Sequence, residues 1–319
     1  MEKAVLTLKN VSKNFVLSKN RIIQAVNNVS LQILDGETFG LVGESGCGKS
    51  TLGRTIKGIY KPTVGEIIYN GNNIRNLNKN GKKQYTRDMQ MIFQDPYSSL
   101  NPRMTVKDII AEGLNIHNIG TKIEREEKVY ELLGLVGLNR EFISRFPHEF
   151  SGGQRQRLVI ARALAINPKF IICDEPISAL DVSVQAQIVN LLQDLQDKFN
   201  LTYLFIAHDL SMVKHISDKV GVMYMGKIIE LAYKQELFNN PQHPYTKALL
   251  ASIPVPDPVI EREKNQVTIK GELPSLLIKI DGCKFKTRCA YVTKKCDYLK
   301  DDLIDIGNKH YVMCTLFEK

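Results

Sequence analysis

Residues 43–51 read Gly43-Glu44-Ser45-Gly46-Cys47-Gly48-Lys49-Ser50-Thr51. The run fits G-x-x-x-x-G-K-[ST], a glycine-rich phosphate loop. Thr38 to Val42 before it is a short apolar, strand-like run. After it, Leu52, Ile56 and Ile59 recur at helical spacing, and Gly58 is a stop signal. A strand, a glycine-rich turn and a helix N-terminus make a phosphate cradle. Glycines let the backbone wrap closely, the helix dipole adds partial positive charge, and Lys49 adds a full one. The Ser50 hydroxyl suits a Mg²⁺ that bridges two phosphates. Binding of a nucleoside triphosphate is therefore the fixed point of the reading.

The 319 residues are 43% hydrophobic and 24% charged, enough for a large core and two or three structural units. No apolar run approaches the length of a membrane span, and the N-terminus alternates like a strand instead of carrying a signal peptide's apolar block. The expectation is a protein of the cytosol or of the cytosolic face of a membrane. Its net charge of +9 is spread along the chain, so it does not choose between an anionic leaflet and nucleic acid as neighbour. Six cysteines in such a compartment argue against a disulfide framework, yet four of them crowd the last 37 residues.

Working outward, Val5–Leu8, Ile22–Val26 and Val29–Ile33 read as strands, and Asp35-Gly36 is a hairpin signal. Thr63–Tyr69 with Asn70-Gly71 repeats that style. Residues 72–88 form a polar, Lys/Asn-rich surface stretch, and Gln90–Phe93 is a short strand ending at Gln94. From about 104 to 166 the pattern is helical. Val129, Leu132, Leu133 and Val136 share a face, and Gln154–Ile166 is a second helix stopped by Asn167-Pro168. Phe170–Cys173 and Tyr203–Ala207 are buried strands. Between them Val182–Phe199 is an amphipathic helix with Asp181 as N-cap. Lys219–Tyr224 and Lys227–Leu231 flank Met225-Gly226 as a hairpin. Such alternation implies a parallel α/β core with an inserted helical subdomain. Beyond 240, Pro241, Pro244, Pro254, Pro256 and Pro258 mark a linker and a new segment.

Two further stretches carry chemistry. Asp174-Glu175 ends an apolar strand, where Asp174 can hold Mg²⁺ through water and Glu175 can orient or deprotonate the attacking water. Ser151-Gly152-Gly153-Gln154 opens a helix with exposed backbone N–H groups, a second anion site. One chain does not need two cradles for a γ-phosphate, so the second serves a nucleotide held by another chain.

With these residues in order, the chain resembles the nucleotide-binding subunit of ATP-binding-cassette (ABC) transporters. The phosphate loop, Gln94, Ser151–Gln154, Asp174-Glu175, Ser178–Asp181 and His208 follow the family's sequence of motifs. The resemblance implies an α/β fold: a RecA-like phosphate-loop NTPase core, an antiparallel β subdomain, an inserted α-helical signature subdomain, and a small C-terminal cysteine-containing extension. It places the ATPase domain at 4–235, with the helical insertion at about 95–166, and the extension at 236–319. It implies MgATP as ligand. Phe15 stacks on adenine, residues 43–51 hold the phosphates, and Ser50, Gln94 and Asp174 ligate Mg²⁺. Glu175 is the catalytic base, and His208 contacts the γ-phosphate. Ser151, Gly152, Gly153, Gln154 and Asp181 serve the opposite site of a head-to-tail dimer.

Met91–Met104, Pro147–Arg157 and Asn240–Leu250 are similar to oligopeptide and dipeptide importers, most of all to their second, F-type ATPase subunit. That likeness implies a peripheral protein on the cytoplasmic side of the cell membrane. Its partners would be a related D-type ATPase subunit, two permease subunits contacted through Tyr97–Met104, and an extracytoplasmic substrate-binding protein. Nucleic acid is not among them. Nickel or metallophore import by the same machine is the alternative cargo reading, and a soluble non-transport cassette ATPase is the remoter one.

Cys283, Cys289, Cys296 and Cys314 are spaced by five, six and seventeen residues. Four thiols in a tail with little apolar core read as a metal clip. The spacing leaves zinc and an iron–sulfur centre open, since it has neither the close zinc pairs nor the ferredoxin run. The importer resemblance implies a structural [4Fe–4S] cluster. Lys284 and Ala290 stand where that family often has proline.

Overall fold

The structure is a computed structural model that describes residues 3–18, 21–178, 180–253, 271, 274–278 and 280–318. Pro254, Pro256 and Pro258 of the expected linker lie outside the described residues. Among the described residues, no helix is long and apolar enough to cross a membrane.

The chain opens with two long strands, β1 (Ala4–Ser18) and β2 (Arg21–Leu34), then β3 (Thr38–Val42), buried at all five positions. Helix α1 (Lys49–Lys57) follows the phosphate loop and stops at Gly58, whose φ of 86° is left-handed. Next come β4 (Val64–Tyr69), β5 (Asn72–Asn73), α2 (Lys79–Asp88), β6 (Met89–Ile92) and α3 (Pro96–Ser99). Helix α2 was not expected from its polar sequence. Asn78 caps it by accepting from Gly81 N at 2.8 Å, and it buries only Tyr85 and Asp88. A single aromatic anchor leaves no apolar periodicity to read.

Helices α4 (Val106–His117), α5 (Lys122–Leu135) and α6 (Gly152–Leu164) form the helical block. Thr105 with Asp108 and Thr121 with Glu124 close capping boxes on α4 and α5. Val129, Leu132, Leu133 and Val136 are all buried, as the shared face predicts. The chain continues through β7 (Phe170–Asp174), α7 (Val182–Phe199), β8 (Thr202–Ala207), α8 (Leu210–Ile216), β9 (Lys219–Tyr224) and β10 (Lys227–Tyr233). It ends with α9 (Lys234–Asn239), α10 (Pro244–Ala251), β11 (Ile304–Asp305) and β12 (Tyr311–Val312).

Two compact units divide these elements: Met1–Arg75 with Phe205–Lys319, and Asn76–Leu204. In the first, β2, β1, β4 and β5 make an antiparallel sheet in that order. A second sheet pairs β3 parallel to β9, then β9, β10, β12 and β11 antiparallel in turn. The parallel pair is buried at every position but Lys219, the first residue of β9, because both faces are covered. Gly40 of β3 permits this packing, since a Cβ there would lie 2.5 Å from Val213 of α8. In the second unit, β6 runs parallel to β7, from Met89 opposite Phe170 to Ile92 opposite Cys173. The fold is thus mixed α/β, as the sequence predicts.

The C-terminal part of the first unit is held by a buried carboxylate. Glu230, fully buried on β10, accepts from Gln242 N at 2.7 Å and His243 N at 2.9 Å, and pairs with His310 Nε2 at 2.7 Å. His243 is the N-cap of α10, and its Nδ1 accepts from Tyr245 N at 3.0 Å, so the ring is neutral. Burial, only partly opposed by Glu230, pushes the His243 pKa down to about 4. Its folded value lies below the unfolded one, so its contribution is full above pH about 6.5 and is lost as pH falls toward 4. The total is roughly 3 kcal/mol. His310 has the opposite sign: burial disfavours its charge, but Glu230 and Glu236 outweigh it and raise the pKa. It keeps its contribution in acid and loses it as pH rises through that folded value. Thermal melts between pH 7 and 4.5 are expected to show a falling melting temperature. The slope should flatten in His243→Asn, which can cap α10 without titrating. An unchanged slope would assign the acid loss to other groups.

Candidate nucleotide site and signature helix

The phosphate loop lies between β3 and α1. Gly48 is the N-cap of α1 and supplies no side-chain cap, so the first-turn N–H groups are not taken by a capping oxygen. Its φ is 111°, and a Cβ there would sit 2.1 Å from Ala25 O of β2. Lys49 is 3% exposed and folds over the loop, donating from Nζ to Gly43 O at 2.7 Å and Glu44 O at 3.0 Å. The ammonium is therefore held where phosphate oxygens can replace carbonyl oxygens as its acceptors. Cys47 is fully buried, and burial raises its thiol pKa, with Lys49 opposing. Ser45 and Gly46 are exposed, and Ser50 and Thr51 are half-buried at the start of α1. In the same unit the Phe15 ring meets Tyr60 edge-on at 5.2 Å, with Lys13 Nζ 4.9 Å above it. His208, just past β8, is exposed.

The second unit holds the other expected residues. Asp174 is the last residue of β7 and fully buried. Glu175 follows with φ of 48°, an uncommon conformation for a residue with a side chain. Its Oε2 accepts from Gln94 Nε2 at 2.8 Å. Thus the second residue after β6 and the first after β7 meet, because those strands are parallel and end together. Left-handed backbone at a carboxylate costs on the order of 1 kcal/mol and is tolerated where it aims a functional group.

Ser151 caps α6. Its Oγ accepts from Gln154 N at 3.3 Å, while Gln154 Oε1 accepts from Ser151 N at 3.0 Å. The Gly152-Gly153 pair has a packing reason as well: a Cβ on Gly153 would lie 2.6 Å from Val184 Cγ1 of α7. Asp181 caps α7 by accepting from Val184 N at 3.0 Å and Ser183 Oγ at 2.7 Å. The Val184 N–H, then the Ser183 hydroxyl, hold its carboxyl below the usual range. Sequence reasoning missed how the Tyr97–Met104 turn is fixed to α6. The Arg155 guanidinium lies 3.7 Å from the Tyr97 ring centroid, with Nε donating to Pro147 O at 2.7 Å. An Arg in an amphipathic helix gives no sign of such a partner. Two residues that touch Glu44 were also missed, Tyr245 and Arg288.

The four tail cysteines line one small cavity, of about 10 Å³, with His243, Phe285 and Thr315. That volume is about one water's. Their sulfurs are turned to local partners. Cys289 Sγ accepts from Tyr291 N at 3.3 Å, and Cys296 Sγ contacts Thr315 Oγ1 at 3.4 Å. Cys283, Cys289, Cys296 and Cys314 are gathered, but among the described residues no group of three or more His, Cys, Asp or Glu is set to hold a metal ion.

Comparison with known proteins fits this arrangement. The family model described as "ABC transporter" matches residues 26–178, and "Oligopeptide/dipeptide transporter, C-terminal region" matches 229–296. The oligopeptide transport ATP-binding protein OppF of Bacillus subtilis is 54% identical over 318 residues, covering 99% of this chain and 97% of that protein. The dipeptide transport ATP-binding protein DppF of Lactococcus lactis is 58% identical over 268 residues, 83% of this chain and 86% of its own. Among solved structures, the ATP-binding cassette MJ0796, a dimer in a post-hydrolysis state bound to ADP and Pi, is similar with a TM-score of 0.65. It is 31% identical, covering 72% of this chain and 98% of that one. The fold and the ordered motifs define an ABC transporter ATPase. The chain belongs to the family of oligopeptide and dipeptide transport ATP-binding proteins.

Proposed function

We propose that this chain is the ATP-hydrolysing subunit of an importer of oligopeptides or dipeptides. The observation that carries the reading is the near full-length likeness to oligopeptide transport ATP-binding proteins, tail included. Lys49 and the loop N–H groups bind the phosphates of MgATP. Ser50, Gln94 and Asp174 are the residues that would hold Mg²⁺, whose charge neutralises the phosphates. Phe15 takes the adenine and His208 the γ-phosphate. Glu175, oriented by Gln94, positions and deprotonates the water that attacks it. Ser151 to Gln154, with Asp181, cover the ATP held by a partner cassette, a D-type subunit. Closure of the pair drives two permease subunits, touched through Tyr97–Met104 and supplied by an extracytoplasmic binding protein. The ATPase domain is 4–235, its helical part about 95–166, and the chain sits on the cytoplasmic face of the membrane. Uptake of labelled peptides into cells lacking this subunit should return with the wild-type chain and not with Glu175→Gln. Restored nickel uptake without peptide uptake would move the cargo to the alternative.

The tail is read as a metal clip. Four soft donors around one void fit a thiolate-held metal in chemistry, and their sulfurs would have to turn toward the void to close on it. Cys283, Cys289, Cys296 and Cys314 would be the ligands of a [4Fe–4S] cluster, with zinc as the alternative, and the metal would supply a cross-link. Anaerobically purified protein should be brown and lose its colour in Cys289→Ser. Colourless protein with one zinc would keep the ligands and change the metal, and neither metal would remove the site.

A further inference from the structure

The tail reaches the phosphate loop directly. Arg288, one residue before Cys289, places Nη1 at 2.8 Å and 3.1 Å from the two carboxylate oxygens of Glu44, the second residue of the loop. Its Nη2 donates to Gly271 O at 2.8 Å, so the guanidinium is held from both ends. The Glu44 N–H donates to the Tyr245 hydroxyl at 2.9 Å. Tyr245 is fully buried and packs edge-on against Tyr224 at 4.7 Å and Phe285 at 5.4 Å. Phe285 packs on Tyr224 as well, and follows Cys283 by two residues. Both polar handles of Glu44 are thus occupied by residues from beyond position 240, while its carbonyl accepts from Lys49 Nζ.

A carboxylate in a loop that binds a polyphosphate is an electrostatic liability, because like charges a few ångströms apart repel. Here the charge is matched by a guanidinium whose Nη1 reaches both of its oxygens, a charge-assisted contact. We propose that the C-terminal segment completes the nucleotide site, with Arg288 as a positioning residue that acts through Glu44. Arg288 cancels the Glu44 charge and fixes the start of the phosphate loop against the cluster of Tyr224, Tyr245 and Phe285. The inference rests on reading the loop as an ATP site and adds the tail to that site. The 244-residue separation of the pair puts it beyond any local motif.

The test is a pair of MgATP titrations with a fluorescent analogue on the purified full-length chain, with Arg288→Gln made in two backgrounds. In the wild-type background Arg288→Gln should weaken binding roughly three- to tenfold, the size of one uncompensated charge at several ångströms. The loss should shrink in high salt. In the Glu44→Gln background the same change should cost less than twofold, and Arg288→Lys should retain most of the affinity. In the assembled transporter the change should raise KM for ATP and leave kcat nearly constant. Equal losses in both backgrounds, or a fall in kcat at constant KM, would overturn the proposal, since a general loss of folding does not depend on residue 44. Wild-type chain that did not bind MgATP would overturn the nucleotide-site reading, and this one with it.

Discussion

Glu175→Gln is expected to lower ATP turnover by about a hundredfold or more while MgATP binding persists. The carboxylate is the only part of residue 175 that the substitution removes. Glutamine has the same length and can still accept from Gln94 Nε2, so the 2.8 Å contact and the left-handed backbone can both survive. What disappears is the ability to take a proton, and a positioned general base is worth about 10²-fold or more. Lys49 and the glycines of the loop are untouched, so affinity should change little. The measurement is ATPase rate in the assembled transporter beside nucleotide affinity of the purified chain. Turnover within tenfold of wild type would remove Glu175 from the chemistry.

Gly48→Ala should abolish tight nucleotide binding, whereas Gly46→Ala should only weaken it. Both glycines have positive φ, 111° at Gly48 and 79° at Gly46. Forcing alanine into such a conformation costs on the order of 1–2 kcal/mol. Gly46 pays nothing further, because nothing lies within 4 Å of an added Cβ. At Gly48 the same methyl would be 2.1 Å from the Ala25 carbonyl oxygen, a backbone atom of a strand paired in a sheet. Strand or loop must move, and the loop is the softer element. Since Gly48 starts α1, its displacement carries the helix N-terminus and Lys49 with it. A drop in affinity beyond tenfold for Gly48→Ala, and a smaller one for Gly46→Ala, would show that close approach adds to backbone strain there. Equal losses at the two positions would show that strain alone decides.

The core of this fold was legible because its signals are local. The phosphate loop, the Asp181 cap, the Gly58 stop and the face formed by Val129, Leu132, Leu133 and Val136 each lie within about fifteen residues, inside the reach of periodicity and capping rules. Glu175 was found for the same reason, as the residue after a buried strand. What stayed hidden is non-local. Its contact with Gln94 needs two strands to run in parallel and end at the same level. Arg288 offered no clue to Glu44, being one of several basic residues in a basic tail. Tyr245 had a weak one, an aromatic in a proline-rich stretch, and its true neighbours lie on β9 and beyond Cys283. The cysteines show the limit in another form: their spacing announced convergence, which the fold has, but spacing holds no information on which way each sulfur points.

The short strand β12 has one more consequence. By pairing Val312 with Glu230 and Tyr311 with Leu231, and by sending Met313 N to Ile229 O at 2.8 Å, it occupies the outer side of β10. Without it, β10 would present a row of unmatched main-chain donors and acceptors, beside a Glu230 stripped of His310. Such a border invites pairing with any extended segment in a crowded cell, including a sibling chain still emerging from the ribosome. Strand β12 thus protects against misassociation, and a version of this protein lacking it would suffer first in solubility.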